Sequence, residues 1–284
     1  SPSIVPRNTQ ITINATLTNA TSGDPINGAN VSFYIFDPVT LNKTPVGDDT
    51  TNASGLAQTT TTLNTSYRVG PIIFLAEAYN QTISSSPLVS NYTQILLTGN
   101  STIKDMTAKS TAPYLNDYNL IRNEGDVLVK GRLIDPDCIN SDIVGIPGVT
   151  IEVYHNGSSQ PVASGLTDSQ GYFEIYCPGS SLDLTDYIFS ANYSGYYLGS
   201  QITPPTSASD SNGIHVYVRP SLSVSVNPYL LKQYDTTTIT AHMEYDNATP
   251  INGISVSIYS VSYTHLRAHE TRHDLVCRLL LEKK

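Results

Sequence analysis

The decapeptide PINGANVSFY, from Pro25 to Tyr34, returns twice with small changes in this 284-residue chain. The second copy is GIPGVTIEVY, from Gly145 to Tyr154, and the third is PINGISVSIY, from Pro250 to Tyr259. In each copy a turn leads into a run in which apolar and polar residues alternate, as in a half-buried strand. Glycine suits the turn because it adopts positive φ without a Cβ clash. The sequence therefore predicts three copies of one unit, with turn glycines at Gly28, Gly148 and Gly253.

The segments on either side of this motif repeat as well. Before the turn lie alternating runs at Gln10 to Leu17, Asp126 to Leu133 and Thr237 to Glu244. After it, TNASGLA (Thr51 to Ala57) matches TDSQGYF (Thr167 to Phe173), which predicts a second glycine turn leading into another strand. The turn glycines are 120 and then 105 residues apart, a spacing that suits one ordinary domain per copy.

The repeats predict an all-β chain of tandem antiparallel β-sandwiches. Each unit has room for about seven short strands per ~100 residues, and no amphipathic helix is visible before residue 260. One face of each sheet would pack on the other sheet while the second face meets water. We predict two complete Ig-like sandwiches, residues 1–99 and 100–219, followed by a truncated third repeat at residues 220–260.

The last 24 residues differ in composition from everything before them. His265, His269 and His273 recur there at helical spacing beside a cysteine, and such a set could ligate zinc. Back-translation favours another origin, because almost the whole segment can be encoded by the two ends of a sequencing-library adapter followed by a run of A. We interpret residues 261–284 as a non-native read-through tail, and the remainder as a fragment of a longer protein.

The charge balance limits the classes of partner. The chain has 15 basic and 24 acidic side chains, and the tail holds five of the basic and three of the acidic ones, which leaves a net charge of about −11 without it. Nucleic-acid binding needs clustered Lys and Arg, so we expect no nucleic-acid partner. Since no apolar run approaches the ~20 residues that span a bilayer, we also expect no membrane contact by this fragment.

Candidate chemical sites are few. The histidines outside the tail, His155, His215 and His242, stand far apart, and no nucleophile and base are paired, so we expect no catalytic site and no cofactor. The acidic stretch DPDCINSD could supply oxygen ligands for Ca²⁺, although acidic turns without metal are common. The weak calcium candidates are Asp135, Asp137 and Asp142.

Two cysteines remain outside the tail, Cys138 and Cys177. Both lie in the second predicted sandwich, each where a strand meets a loop, and we predict that they are close enough to form a disulfide. A pair of cysteines in an otherwise thiol-free chain favours an oxidising compartment. The alternative is two buried free thiols.

Asn-X-Ser/Thr sequons are frequent, and nine of the twelve fall in the first hundred residues. This excess favours a glycosylated exterior, while the alternative is that these asparagines are polar residues on the wet faces of strands. The candidate acceptors are Asn14, Asn19, Asn30, Asn42, Asn52, Asn64, Asn80, Asn91, Asn100, Asn156, Asn192 and Asn247.

The pattern of strand, G-x-P-[IV]-x-G, strand and T-[DN]-x-x-G-[YFL]-[FA] resembles bacterial and archaeal Ig-like surface repeats of the invasin and intimin kind. The middle repeat, from Thr167 to Phe173 and from Tyr187 to Tyr197, also resembles carboxypeptidase regulatory-like and collagen-adhesin B-type modules. The second resemblance suggests, as a hypothesis, an isopeptide bond between Lys130 and Asn212. The alternative is that Lys130 is an ordinary exposed lysine.

These resemblances imply a non-catalytic stalk, spacer or adhesive module of an extracellular cell-surface protein. Its partners would be neighbouring repeats of the same chain and cell-surface glycans or proteins. A different class of function stays open, in which the chain is an accessory substrate- or carbohydrate-binding module of an extracellular enzyme.

Overall fold

A computed structural model of the chain describes residues 3–37, 41–79, 89–113, 115–227, 229–230 and 235–259. Regular structure in these ranges is β-strand apart from one 3-10 turn at Gly179–Ser181, so the predicted all-β class is confirmed. No described helix is long and apolar enough to cross a membrane.

The chain divides into two compact units, residues 1–217 and residues 218–284. The predicted non-native tail, residues 261–284, lies outside the described ranges.

The first sandwich pairs a larger sheet with a smaller one. Its described strands are β1 (Ser3–Pro6), β2 (Gln10–Thr16), β3 (Asn30–Phe36), β4 (Lys43–Thr50), β5 (Leu56–Thr62), β6 (Gly70–Tyr79) and β7 (Val89–Thr98). One sheet has the order β1-β7-β6-β3-β4 and the other pairs β2 with β5. The alternation predicted for β3 places Val31, Phe33 and Ile35 in a core with Ile13 and Phe74.

The second sandwich is built on the same plan from shorter pieces. Its strands are β8 (Thr102–Ser110), β9 (Asn119–Ile121), β10 (Asp126–Ile134), β11 (Thr150–His155), β12 (Ala163–Leu166), β13 (Tyr172–Pro178), β14 (Asp186–Tyr187), β15 (Phe189–Tyr193), β16 (Tyr196–Tyr197), β17 (Ser200–Gln201), β18 (Thr206–Ser209) and β19 (Ile214–Tyr217). They form sheets of order β13-β10-β8, β12-β11-β15-β18 and β14-β19-β9, with a small β16-β17 ladder. Val129, Ile151, Phe173 and Phe189 are central in its core.

Among the described strands, each sandwich has one parallel pairing, and its other pairings are antiparallel. In the first, β1 runs parallel to β7, from Ser3 opposite Ile95 to Pro6 opposite Thr98. In the second, β9 runs parallel to β19, from Asn119 opposite His215 onward. An early and a late strand of each sandwich therefore lie side by side and point in the same direction.

The repeated motif folds alike in both sandwiches. Gly28 and Gly148 have φ of 76° and 67°, and each donates its N–H to the carbonyl of a buried threonine, at 2.8 and 3.0 Å. The second of these, Thr167, also accepts a side-chain hydrogen bond from the Val149 N–H at 3.1 Å and donates one to the Ile146 carbonyl at 2.8 Å. Glycine and threonine thus bind two turns of the unit together, as the repeat predicted for its glycines.

The second glycine turn is fixed by close backbone packing. Gly55 and Gly171 both have positive φ, and a Cβ on either would lie 2.4 or 2.3 Å from the carbonyl oxygen of Leu17 or Leu133. The main chain approaches this closely because the N–H of each leucine donates to the carbonyl of the same glycine at 2.8 Å. Only glycine fits both the conformation and the contact.

The described part of the second unit contains two paired strands, β20 (Ser221–Asn227) and β21 (Thr238–Glu244). Their register places apolar side chains such as Leu222 and Met243 opposite each other on one face, and places Ser223 and His242 on the other. This two-sided pattern is that of a strand pair with one apolar and one polar face. The truncated third repeat at residues 220–260 stays a prediction.

Candidate functional site at the junction of the two sandwiches

The chain passes from β7 to β8 through only three residues, Gly99, Asn100 and Ser101. This link is bonded to the second sandwich along its length. The Gly99 N–H donates to the Ile202 carbonyl at 3.0 Å, and the Ser101 hydroxyl lies 2.9 Å from that of Thr203. A link this short and this well bonded leaves the chain little freedom at the junction.

An ion pair between the sandwiches lies at the centre of the junction. Arg7 follows β1, Asp135 follows β10, and their side chains are 9% and 0% exposed. Both terminal nitrogens of the guanidinium bond the carboxylate, and Nη2 also donates to the Tyr67 carbonyl at 3.0 Å. The carboxylate accepts the Val69 N–H at 2.9 Å and the Asp137 N–H at 3.0 Å. Asp135 thus binds donors from both sandwiches.

The energetics of such a pair are asymmetric. Withdrawing both charges from water costs several kcal/mol per ion, so the pair need not stabilise the fold much compared with an apolar contact. Removing one partner, however, leaves the other charge buried and costs about 3–5 kcal/mol. In the described part of the chain, Arg7 Nε is buried without a hydrogen-bond partner, which reduces the net contribution of the ion pair to stability. The pair therefore specifies how the sandwiches meet more than it adds stability.

Apolar and backbone contacts surround the ion pair. Val69 belongs to the first sandwich but packs with the core of the second. The Ile139 N–H, from the loop after β10, donates to the Thr65 carbonyl of the first sandwich at 2.9 Å. A Cβ at Gly99 would lie 2.6 Å from the Val69 side chain, so a larger residue there would have to displace that side chain. The junction is thus a packed interface as well as an ion pair.

Two of the three weak calcium candidates, Asp135 and Asp137, take part in this junction. Arg7 binds Asp135 and, at 3.4 Å, Asp137, whose carboxylate also accepts the Asn100 amide at 2.8 Å. The backbone of Asp142 is held separately by the Asn140 side chain at 3.2 Å. Within the described ranges no three His, Cys, Asp or Glu side chains form a group that could hold a metal ion. In this structure the positive charge beside Asp135 and Asp137 is the guanidinium of Arg7.

The predicted disulfide is wrong. Cys138 and Cys177 are both free and buried. Cys177 lies opposite Val127 near the start of β10, whereas Cys138 lies beyond Ile134 at its end, and these ends are about 23 Å apart at ~3.3 Å per residue. Burial raises the pKa of the Cys177 thiol to about 12 and also raises that of Cys138. The alternative of two buried free thiols is the one that the structure supports.

The proposed isopeptide partners are also engaged elsewhere. Lys130 is 46% exposed and pairs with Glu174 at 2.6 Å on the outer face of its sheet. The Asn212 amide is bonded to Asp210 at 3.1 Å. The exposed-lysine alternative is therefore the one observed.

Among the histidines, His215 lies 2.6 Å from Asp186, in a pair that is exposed to solvent.

The sequon asparagines are mostly on the surface. Asn192 is half-buried and Asn80 lies outside the described residues, and the other ten are exposed. Asn19, Asn52 and Asn64 use their side-chain oxygen to accept backbone N–H groups two residues on. Asn100 and Asn156 instead donate their side-chain amide within the protein, to Asp137 and to the Asp186 carbonyl. The first three therefore present an amide better suited to glycosylation.

Sequence reasoning missed Arg7 and Val69. A signal for the arginine exists, because Arg7-Asn8 is repeated as Arg122-Asn123 at the same place in the second sandwich. Both asparagines have positive φ, 65° and 70°, and both arginine N–H groups donate to the last residue of the parallel partner strand. No comparable pattern marks Val69.

No family model and no curated protein matches the sequence. Among solved structures, the chain is similar to the adhesin InvE of Yersinia pseudotuberculosis (TM-score 0.37, 14% identity, 74% of this chain and 56% of that one). It is also similar to a tetra-tandem repeat in the extending region of a large adhesion protein (TM-score 0.35, 12% identity, 82% and 60%). A third is invasin, described as a bacterial integrin-binding protein (TM-score 0.33, 17% identity, 93% and 51%). The chain spans between about half and three fifths of the length of these three proteins. They are surface adhesion proteins of the kind that the sequence motifs resemble.

Proposed function

We propose that the chain is a mechanical spacer module in the stalk of an extracellular cell-surface adhesion protein, with no catalytic role. Its immediate partners are then the neighbouring repeats of its own chain. It would hold an adhesive domain of the parent protein away from the surface, and its sequons would carry glycans that shield the stalk.

The observation that carries the proposal is the parallel pairing of β1 with β7. A force applied through the two ends of this sandwich pulls these strands in opposite directions along their length. The hydrogen bonds between parallel strands are evenly spaced and lie across that force, so they are loaded together rather than one at a time. Four residues of β1 pair in this way. The second sandwich also has a parallel pair, β9 with β19, but there β8 precedes β9 in the chain, so the loading argument applies to the first sandwich.

The junction supports the same function. A spacer keeps its far end at a fixed distance only if successive modules do not bend freely at their links. The three-residue link, the buried Arg7–Asp135 pair and Val69 all restrict that bending. A tether without these contacts would behave as a flexible chain.

Single-molecule stretching of the full chain tests the proposal. The Arg7 N–H donates to the Thr98 carbonyl. Since donors alternate along a strand, the Val5 N–H also faces β7, whereas that of Ile4 faces away. Val5→Pro should lower the unfolding force of the first sandwich, while Ile4→Pro should leave it nearly unchanged, as the natural Pro6 in the same outward register suggests. Equal unfolding forces for the two variants would refute the mechanical role of this pairing.

A further inference from the structure

The outer face of the sheet β13-β10-β8 is unusual in this acidic chain. Along β10, Val127, Val129 and Leu133 lie in the core, whereas Leu128, Lys130 and Arg132 lie on the outer face. Four basic side chains are gathered on the outward face, together with two tyrosines of β13. We call this surface the basic face, and it consists of Lys104, Lys109, Lys130, Arg132, Tyr172 and Tyr176.

The strand register brings these residues together in rows. Arg132 lies opposite Lys104 on one side and Tyr172 on the other. Two residues earlier, Lys130 lies opposite Thr107 and Glu174. The next row holds Lys109, Leu128 and Tyr176. Four of the nine described Lys and Arg residues therefore share one sheet face, in a chain of net charge −9.

The anionic groups near the basic face can be displaced. Lys130 pairs with Glu174 and Lys109 with Asp117, each at 2.6 Å, and all four side chains are between 46% and 58% exposed. Exposed pairs of this kind contribute little to stability because water and salt screen both charges, so a polyanion can take their place. Asp105 follows Lys104 where the register of β8 against β10 shifts, and Asp126, the first residue of β10, accepts the Gly179 N–H at 3.3 Å.

The tyrosines give the face a second recognition element. Tyr172 and Tyr176 are 45% and 56% exposed, and four residues of strand set them about 13 Å apart. The Arg132 guanidinium lies 4.7 Å from the Tyr172 ring centre and is held by a bond from Nε to the Gln170 carbonyl at 2.9 Å. Such rings offer a flat apolar face and a hydroxyl, which suit the C–H face and hydroxyls of a sugar ring.

We propose that the basic face binds an anionic polysaccharide, with the cations contacting its carboxylate or sulfate groups and the tyrosines packing on its sugar rings. The charge pattern favours a polyanion, and the exposed tyrosines favour one made of sugars. This function is additional to the spacer role, because a neutral face would serve a spacer equally well.

Binding of the full chain to dextran sulfate and to neutral dextran tests the proposal. We expect retention on dextran sulfate alone, weakening steeply as salt rises. Lys104→Ala with Arg132→Ala should weaken binding about tenfold or more and reduce the salt dependence. The tail is present in every variant, so differences between variants report on the basic face. Unchanged binding in this double variant would overturn the proposal.

Matched variants separate sugar recognition from charge alone. Lys43→Gln removes one exposed positive charge from the first sandwich and should change binding less than twofold, while Glu174→Gln should strengthen it.

Tyr172→Ala with Tyr176→Ala should weaken binding to dextran sulfate but not to polyglutamate. If polyglutamate binds as tightly as dextran sulfate, and the double tyrosine variant binds both polymers like the unmodified chain, the partner is an acidic protein. If sedimentation instead shows self-association that the basic-face variants abolish, the partner is a second copy. Either result would overturn the polysaccharide.

Discussion

Replacing Arg7 with methionine tests the junction most sharply. The aliphatic part of the side chain stays similar, but the guanidinium is lost. Asp135, which is fully buried, then keeps two donors among the described residues, the backbone N–H groups of Val69 and Asp137. A buried carboxylate without its cation is poorly stabilised.

The expected cost follows from this burial. Breaking a buried ion pair costs about 3–5 kcal/mol of the free energy of unfolding. The substitution also removes the buried Arg7 Nε, which has no partner in the described structure, and this offsets part of the cost. We therefore expect Arg7→Met to lower the free energy of unfolding by about 3 kcal/mol. In the double variant Arg7→Met with Asp135→Leu both charges are gone, and the loss should be smaller than in the single variant. Such non-additivity is the mark of a direct interaction.

Amide hydrogen exchange measures this locally, at the Val69 N–H that bonds Asp135 and the Ile139 N–H that bonds Thr65. Both amides should lose protection in Arg7→Met. The matched control is Lys130→Met, which removes an exposed pair and should cost at most about 1 kcal/mol. A loss below 1 kcal/mol for Arg7→Met, or additive effects in the double variant, would refute the reasoning.

Three further predictions concern the fold and its surface. Gly171→Ala should destabilise the second sandwich by more than about 2 kcal/mol in urea unfolding, because its Cβ would lie 2.3 Å from the Leu133 oxygen. Gly148→Ala, which faces open space, should cost only the ~1–2 kcal/mol of its positive φ, so equal losses would contradict the contact. Since burial raises the pKa of Cys177 to about 12 from the ordinary 9.0, the folded thiol keeps a proton that the unfolded chain loses, and the free energy of unfolding should fall as pH rises through that window. That component of the pH slope should be absent in Cys177→Ala, and its persistence there would rule out the thiol as its source. Mass spectrometry of chain secreted from a glycosylating host should find glycan on Asn52, and consistently bare Asn52 would count against the shielded stalk.

The repeat was enough to predict the fold because its information is local. Alternation fixes which residues of β3 and β11 face the core, and positive φ fixes Gly28 and Gly148. These constraints act within a few residues, so a single sequence displays them.

The junction could not be predicted in the same way. Arg7 and Asp135 are 128 residues apart, and their pairing depends on how two finished sandwiches meet. For the same reason the three aspartates after β10 suggested calcium, since the guanidinium that neutralises two of them comes from the other sandwich. The disulfide failed because the sequence did not tell that Cys177, in β13, lies beside the start of β10, whereas Cys138 follows its end.

The most direct test of the central claim is to ask whether the two sandwiches of residues 3–217 tumble as one body. Residual dipolar couplings of backbone amides report the orientation of each sandwich relative to a common alignment frame. If the junction is fixed by Arg7, Asp135 and Val69, the couplings of residues 3–98 and 102–217 will fit one alignment tensor, and Arg7→Met will split them into two. Two different tensors in the unmodified chain would contradict the account.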